Sequence, residues 1–381
     1  MLNLAIIRQR YDPFGGAERF VSLAAATMRE HGTQTTIISR KWSGDSTRSA
    51  WMRCDPFYLG RIWRDRGFAR EACRLVAAHG FDLVQSHERI PCCDIYRAGD
   101  AVHAQWLTNR SRAFGRLRRL GQAINPFHWH LLAAERKLFS SSRLRAVICN
   151  SAMVRDEISR LFPLVAEKLH VIYNGVDLSR FHTQLSVEHR LPMRRQLGIP
   201  PNEKVLIFVG AGFERKGVRV LLDAMSRLSE TAISLVVVGK DRRASRYVRQ
   251  AETLGLSEKV HWVGPQTDVT AWYGMADIFV LPTLYDPFSN AALEALATGL
   301  PVVTTRQCGT AEIIREGWNG FVCEDPADPV ELANKLKIAT ETSSDMRINA
   351  RKSAEKFGLE DMALVLAELY ASLMMEPYRA T

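Results

Sequence analysis

Pro282-Thr283-Leu284-Tyr285-Asp286-Pro287-Phe288-Ser289-Asn290-Ala291-Ala292-Leu293-Glu294 lies between two apolar runs, Ile278–Leu281 and Ala295–Ala297. The first run is short and largely β-branched or aromatic, which reads as a buried strand. The second belongs to a stretch of helix formers, read as a helix over Asn290–Ala297, and Val302–Thr304 then reads as another strand. Strand, helix and strand in that order make a βαβ unit with parallel strands. Ser289 or Asn290 can cap the helix, whose first amides then point at an anion. Asp286 falls on the loop and Glu294 about one turn inside the helix. The two carboxylates can bracket one ligand, one on sugar hydroxyls and the other on a ribose. The plainer reading makes Ser289 a simple cap and Glu294 a surface residue. Ala291, Leu293 and Ala295 to Ala297 make the helix largely buried, and an unpaired carboxylate there is costly.

The same alternation extends in both directions. Downstream of residue 203, strands read at Lys204–Val209, Ile233–Val238, Val260–Val263, Ile278–Leu281, Val302–Thr304 and Gly320–Cys323. Helices between them read at Val218–Leu228, Tyr247–Leu254, Val269–Met275, Asn290–Ala297 and Ala311–Glu316. Upstream, strands read at Leu2–Arg8, Thr35–Ser39, Phe81–Ser86, Asp94–Ala98, Arg145–Asn150 and His170–Tyr173. The helices there are Gly16–Glu30, Phe68–Ala78, roughly Phe127–Leu138, and Ala152–Leu161. Asn174-Gly175-Val176-Asp177 reads as a turn, and polar residues 178–203, ending in Pro200-Pro201-Asn202, as the interdomain link. The expectation is an α/β protein of two Rossmann-like, doubly wound domains, residues 1–180 and 181–360. A cleft is expected between them at the carboxyl ends of the strands.

Two further loops carry chemistry. Gly210-Ala211-Gly212-Phe213-Glu214-Arg215-Lys216-Gly217 follows a strand and begins a helix. Arg215 and Lys216 suit a pyrophosphate and can neutralise charge on a departing nucleoside diphosphate. No Ser or Thr follows the lysine, so this is not a P-loop. Pro13-Phe14-Gly15-Gly16-Ala17-Glu18-Arg19 also joins strand to helix. Its two glycines let backbone approach a ligand, and an ordinary turn explains it about as well.

Composition narrows the class. Hydrophobic residues make up 46% and charged residues 24%, a globular balance that excludes disordered and fibrous chains. No apolar run reaches transmembrane length, and Arg8 and Arg10 follow Leu2–Ile7 where a secretory signal wants them before it; a cytoplasmic protein is expected. Seven scattered cysteines lack metal-ligand spacing and read as reduced, mostly buried thiols. Net charge is +10, and residues 1–180 hold 28 Lys and Arg against 16 Asp and Glu, the remainder 23 against 25. The excess therefore lies in the first half, which suggests an anionic partner there. From Ala101 to Ala134 there is no acid, while Arg110, Arg112, Arg116, Arg118 and Arg119 interleave with Trp106, Phe114, Phe127 and Trp129. Arginine beside Trp and Phe suits an anionic bilayer or phosphorylated lipid. Nucleic acid would attract the same stretch, and a solvated basic helix is the bland alternative. Arg61, Arg64, Arg66 and Arg70 extend the patch. His87 and His103 neighbour plausible ligand loops, where a lone histidine is more often structural.

A carboxylate, seven residues and a glutamate, with Arg215-Lys216-Gly217 upstream and Gly15-Gly16-Ala17-Glu18-Arg19 near the start, resembles glycosyltransferase family four over essentially the whole chain. Within that family, Trp42-Ser43-Gly44-Asp45 and Asp94-Ile95-Tyr96-Arg97-Ala98-Gly99-Asp100 are most similar to the bacterial lipopolysaccharide-core glucosyltransferases. The resemblance implies the GT-B fold, with the last helix, Met362 to Met375 in residues 361–381, crossing back to the first domain. It implies that Gly15 and Gly16 lie against the donor phosphate and that Arg215 and Lys216 bind the diphosphate. Asp286 would contact the transferred sugar with the amides of Phe288, Ser289 and Asn290 nearby, and Glu294 the ribose. Asp100 would face the reacting centre from the acceptor domain, though a structural Asp at a strand end reads nearly as well. The family usually carries Glu where this chain has Asp286, which leaves the donor sugar open. The implied reaction is retaining, metal-independent transfer of a hexose, glucose first, from a UDP-sugar to an inner-core heptose of lipopolysaccharide. UDP-galactose, UDP-GlcNAc and UDP-GalNAc stay open as donors, and another glycolipid or polysaccharide as acceptor. No cofactor and no nucleic-acid partner are expected, and the site is placed at the inner face of the cytoplasmic membrane. A UDP-sugar 2-epimerase would need an acid/base pair that the sequence does not offer, and a basic membrane- or nucleic-acid-binding module would not need the donor motifs.

Overall fold

The computed structural model describes residues 3–9, 33–42, 50–114, 124–228, 231–341 and 344–375. Two compact units divide the chain: residues up to Asn174 together with Glu360 onward, and Gly175–Leu359.

The first unit is built on seven strands: β1 (Asn3–Ile7), β2 (Gln34–Ser39), β3 (Ala50–Arg53), β4 (Leu83–Ser86), β5 (Ile95–Arg97), β6 (Ala146–Cys149) and β7 (Leu169–Val171). They pair in the order β3-β2-β1-β4-β5-β6-β7, every pair parallel. The runs Leu4–Ile7, Leu83–Ser86 and Ala146–Cys149 are buried throughout, as strands covered on both faces must be. Helices α1 (Gly60–His79), α2 (His103–Phe114), α3 (Pro126–Phe139) and α4 (Ala152–Leu161) belong to this unit. Asn125 caps α3 and Ser151 caps α4 through side-chain acceptors, the hydrogen-bonding task those residue types perform at helix starts.

The second unit carries a six-stranded parallel sheet, order β10-β9-β8-β11-β12-β13. Its strands are β8 (Lys204–Val209), β9 (Ile233–Val238), β10 (Val260–Gly264), β11 (Ile278–Leu281), β12 (Val302–Thr305) and β13 (Gly320–Cys323). Helices α5 (Leu185–Leu197), α6 (Val218–Met225), α7 (Ala244–Thr253), α8 (Thr270–Met275), α9 (Asn290–Ala297), α10 (Pro329–Thr340) and α11 (Ser344–Ala354) complete it. In both sheets the strand order reverses beside the unit's first strand, which creates a crevice at the carboxyl ends. The final helix, α12 (Leu359–Met375), packs in the first unit: the Tyr370 hydroxyl donates to Gln85 Oε1 and the Arg145 guanidinium to the Leu373 carbonyl.

Three sequence expectations need correction, and one strand was not anticipated. Residues 178–203 are not a bare link, because α5 occupies their middle despite Pro192. Its polar sequence concealed Arg194, which is fully buried and bonds the carbonyls of Met275 (3.0 Å) and Glu203 (2.7 Å) and Asp277 Oδ2 (2.7 Å). Strand β3 went unread because Trp51 and Arg53 leave it exposed at the sheet edge. A helix expected at Ala311–Glu316 is a single 3₁₀ turn, Gly309–Ile313. The cysteines are not all reduced: Cys73 on α1 is bonded to Cys92 before β5, while Cys54, Cys93, Cys149, Cys308 and Cys323 are free and buried. The bond joins half-buried sites 19 residues apart, a pairing that the adjacency of Cys92 and Cys93 obscured.

Candidate functional site

Two loops at the carboxyl ends of β8 and β11 build a charged cluster in the second unit. The first turns tightly from Gly210: the Phe213 amide donates to Asp241 Oδ2 (2.8 Å), and the Lys216 amide to the Gly212 carbonyl (3.1 Å). Gly217 closes it with φ +80°, and a Cβ there would stand 1.8 Å from the Pro282 carbonyl oxygen. Only glycine permits that approach. The Arg215 carbonyl accepts from the Leu284 amide (2.8 Å) and from Thr283 Oγ1 (3.0 Å), so the two loops are stitched together by backbone.

Those contacts deliver the side chains. Lys216 Nζ donates to Asp286 Oδ2, and Arg215 Nη1 lies 3.5 Å from the same oxygen and 2.8 Å from the Tyr285 carbonyl. Asp286 and Lys216 are both buried. Burial pushes the Asp286 carboxyl up, but Lys216, Arg215 and the Phe288 amide outweigh it and hold it below the ordinary aspartate range. A third loop supports Asp286: its amide donates to the Gln307 carbonyl (2.9 Å), and its carbonyl accepts from Gly309 (2.9 Å).

Ser289 caps α9, its Oγ accepting from the Ala292 amide (3.3 Å). Its own amide donates to Thr310 Oγ1 (2.9 Å), and the Phe288 amide is turned to Asp286. Two of the three amides expected to face a donor are thus engaged within the protein. Asn290 opens the helix, and Glu294, buried one turn on, has Oε2 3.1 Å from the Tyr273 hydroxyl. Sequence reasoning missed Tyr273 and Thr310; a tyrosine within a short buried helix and a Cys-Gly-Thr turn after β12 were the available signals. Gly15 and Gly16 lie outside the described residues.

In the first unit, Asp100 is exposed on the turn after β5, far along the chain from the other carboxylates. The Ala101 amide closes that turn on the Ala98 carbonyl (3.1 Å), and Ala101 has φ +51°. His87 is buried beside Gln85 Nε2 (3.1 Å), and burial, then Arg97 and Arg8, pushes its imidazole well below the usual range. His103 Nε2 meets His128 Nδ1 at 3.0 Å; burial, then Arg89 and His128, lowers it to about 3. Both histidines are neutral groups in packed surroundings.

Of the basic patch, α2 presents Arg110, whose guanidinium carbon lies 6.0 Å from the Trp106 ring centroid, and Arg112. Arg116, Arg118 and Arg119 lie outside the described residues. The structure adds a second element. Phe57, Leu59 and Trp63, at the start of α1, are exposed by 74%, 69% and 50%. Arg61 stacks on Phe127 (5.9 Å) and Arg66 Nε reaches His130 Nδ1 (3.4 Å), so α1 and α3 run side by side with their first turns at the same end. Ile124 and Trp129 are exposed at that end of α3. Among the described residues no helix is long and apolar enough to cross a membrane, and no group of three acidic, His or Cys side chains is placed to hold a metal ion.

Comparison with known proteins agrees unit by unit. The family described as Glycosyltransferase Family 4 matches residues 14–180, and Glycosyl transferases group 1 matches residues 190–357. The chain is 26% identical over 360 residues to the lipopolysaccharide glucosyltransferase WaaG of Escherichia coli K12, covering 92% of this chain and 94% of that one. The crystal structure of WaaG, a glycosyltransferase involved in lipopolysaccharide biosynthesis, superposes with a TM-score of 0.82 at 24% identity, over 96% of this chain and 99% of its own. Anabaena HepE in complex with UDP-glucose gives 0.76 at 20% identity, over 98% and 100%. With a parallel Rossmann-like sheet in each unit and one glycosyltransferase match on each, the chain belongs to glycosyltransferase family four and has the GT-B fold.

Proposed function

We propose that this glycosyltransferase moves a hexose, glucose first, from a UDP-sugar to an inner-core heptose of a lipopolysaccharide-type acceptor, with retention of the anomeric configuration and without a metal ion. The observation that carries the reading is the buried Lys216–Asp286 pair with Arg215 beside it, built from the loop after β8 and the loop that opens α9. It is a compact set of two cations and one carboxylate beside a helix start, the chemistry that a sugar diphosphate requires. Lys216 and Arg215 neutralise the diphosphate as the glycosidic bond to phosphate breaks. Asp286, held ionised, accepts from hydroxyls of the transferred sugar, and Glu294, fixed by Tyr273, accepts from the ribose. Asp100 of the first unit serves the acceptor hydroxyl, whose proton passes to the donor phosphate oxygen; no protein nucleophile is needed.

The UDP-glucose complex of HepE and the lipopolysaccharide activity of WaaG support the choice of donor and acceptor class. An anionic inner-leaflet surface is the proposed docking partner of the first unit, and the enzyme a peripheral one on the cytoplasmic face. Arginines with exposed Trp and Phe on neighbouring helices suit that surface better than a nucleic acid, which aliphatic Leu59 and Ile124 would not serve. The reading is tested by incubating the chain with each UDP-hexose and deep-rough lipopolysaccharide and reading the product by NMR. An α-linked hexose on heptose is expected; a β-linked product contradicts retention, and no product from any donor contradicts the whole reading.

A further inference from the structure

The turn that carries Asp100 is held in an unfavourable backbone conformation by a buried ion pair that no part of the proposed chemistry uses. Gly99 and Asp100 are its two central residues. Ala101, immediately after Asp100, adopts φ +51°, a left-handed conformation that costs an alanine about 1 kcal/mol or more. Ala101 is also the only non-glycine residue with positive φ among the described residues. Such a conformation persists only where its surroundings enforce it.

The enforcing contacts come from Arg89 and Glu135. Arg89 Nη2 donates to the Ala101 carbonyl (3.1 Å), and Arg89 Nε to Glu135 Oε1 (2.9 Å). The same carboxylate oxygen accepts from the His103 amide at 2.6 Å, in the first turn of α2. One carboxylate therefore grips both sides of the exit from the turn. Glu135 is only 1% exposed, and its second oxygen, Oε2, is buried without a hydrogen-bond partner. A buried ion pair with an unsatisfied oxygen is poor value for stability alone, since apolar residues of similar size often do as well. Its presence under a strained turn instead suits a requirement for geometry.

We propose that Glu135 and Arg89 are positioning residues that aim the Asp100 carboxylate at the acceptor, acting through the Ala101 carbonyl and the His103 amide. This rests on the transferase reading and on Asp100 touching the acceptor. Asp100 is exposed, and among the described residues no hydrogen bond or ion pair anchors its carboxylate, so the backbone beneath it sets its direction. Releasing the clamp leaves the donor cluster, in the other unit, untouched. A misaimed group of this kind costs up to roughly a hundredfold in rate.

The test is a double-mutant cycle on the full chain, reading acceptor-dependent UDP release, donor KM and melting temperature for Asp100→Asn, Glu135→Gln and the two combined. Glu135→Gln is expected to lower kcat by roughly tenfold to a hundredfold with donor KM unchanged. In the Asp100→Asn background it should cost nothing further. Ala101→Gly, which removes the strain, should lower kcat while leaving the melting temperature equal or higher. If Glu135→Gln does not fold, Arg89→Lys runs the same cycle. Losses that multiply in the double variant, or wild-type kcat in both Glu135→Gln and Arg89→Lys, overturn the clamp. Turnover by the wild type with an equally fast Asp100→Asn overturns it too while the transferase reading stands; a wild type that turns over no donor overturns both.

Discussion

Lys216 and Asp286, 70 residues apart on the loops after β8 and β11, form one buried ion pair, with Arg215 reaching the same carboxylate oxygen at 3.5 Å. Lys216→Met removes the main partner of a buried charge, a change that costs about 3 kcal/mol in comparable pairs. Arg215 offsets a part of that. Urea unfolding should show the loss, and adding Asp286→Asn should recover most of it, because the buried charge is then gone. Activity should stay lost in the double variant, since the cations act on the diphosphate and not only on each other. Full stability in Lys216→Met alone would count against the pair.

The pair also sets a pH window. Asp286 has a folded pKa below its unfolded value, so its contribution is complete above the unfolded value of about 3.9 and is lost as pH falls through the folded pKa. His103 acts higher. Its imidazole is pushed down to about 3, so the unfolded chain takes up a proton that the folded chain refuses, and stability falls from about pH 6.5 downward. Melting temperatures of wild type and His103→Gln between pH 7 and 4 should therefore diverge in slope, with the variant flatter. Parallel curves would sink the assignment.

Gly217 is held at φ +80° against Pro282. Gly217→Ala cannot keep both loops in place, and strain of this kind costs about 1–3 kcal/mol. UDP binding by calorimetry should weaken at least tenfold, a loss equivalent to about 1.4 kcal/mol. Unchanged binding would mean that the two loops need not touch.

Phe57, Leu59 and Trp63 form an apolar edge beside Arg61 and Arg66. Replacing the three by Ser should weaken binding to vesicles containing phosphatidylglycerol by at least tenfold, because each buried apolar side chain contributes about 1.5–3 kcal/mol. Donor hydrolysis in solution should not change. Binding by the wild type should weaken with salt, as arginine contacts to anionic headgroups do. Equal binding to uncharged vesicles would contradict an anionic partner.

Much of this arrangement was legible in the sequence because the signals were local. Apolar runs gave β8 to β13 nearly to the residue, and Ser289 announced the start of α9. Arg215, Lys216 and Asp286 were found singly through their loops, but their meeting at one oxygen depends on the strand order β8-β11, which no local pattern encodes. The same limit hid Tyr273 beneath Glu294 and the Arg89–Glu135 clamp beneath Asp100. Residues 178–203 misled for a different reason: in α5 a buried arginine does the work that an apolar side chain does elsewhere, so hydrophobic periodicity is absent where a helix exists.

The most direct measurement is UDP release from a panel of UDP-sugars, with and without deep-rough lipopolysaccharide, for wild type and Lys216→Ala. Acceptor-dependent release from one donor, abolished in the variant, is the expected result. Release from no donor, or undiminished release by Lys216→Ala, would contradict a donor site built on Lys216 and Asp286.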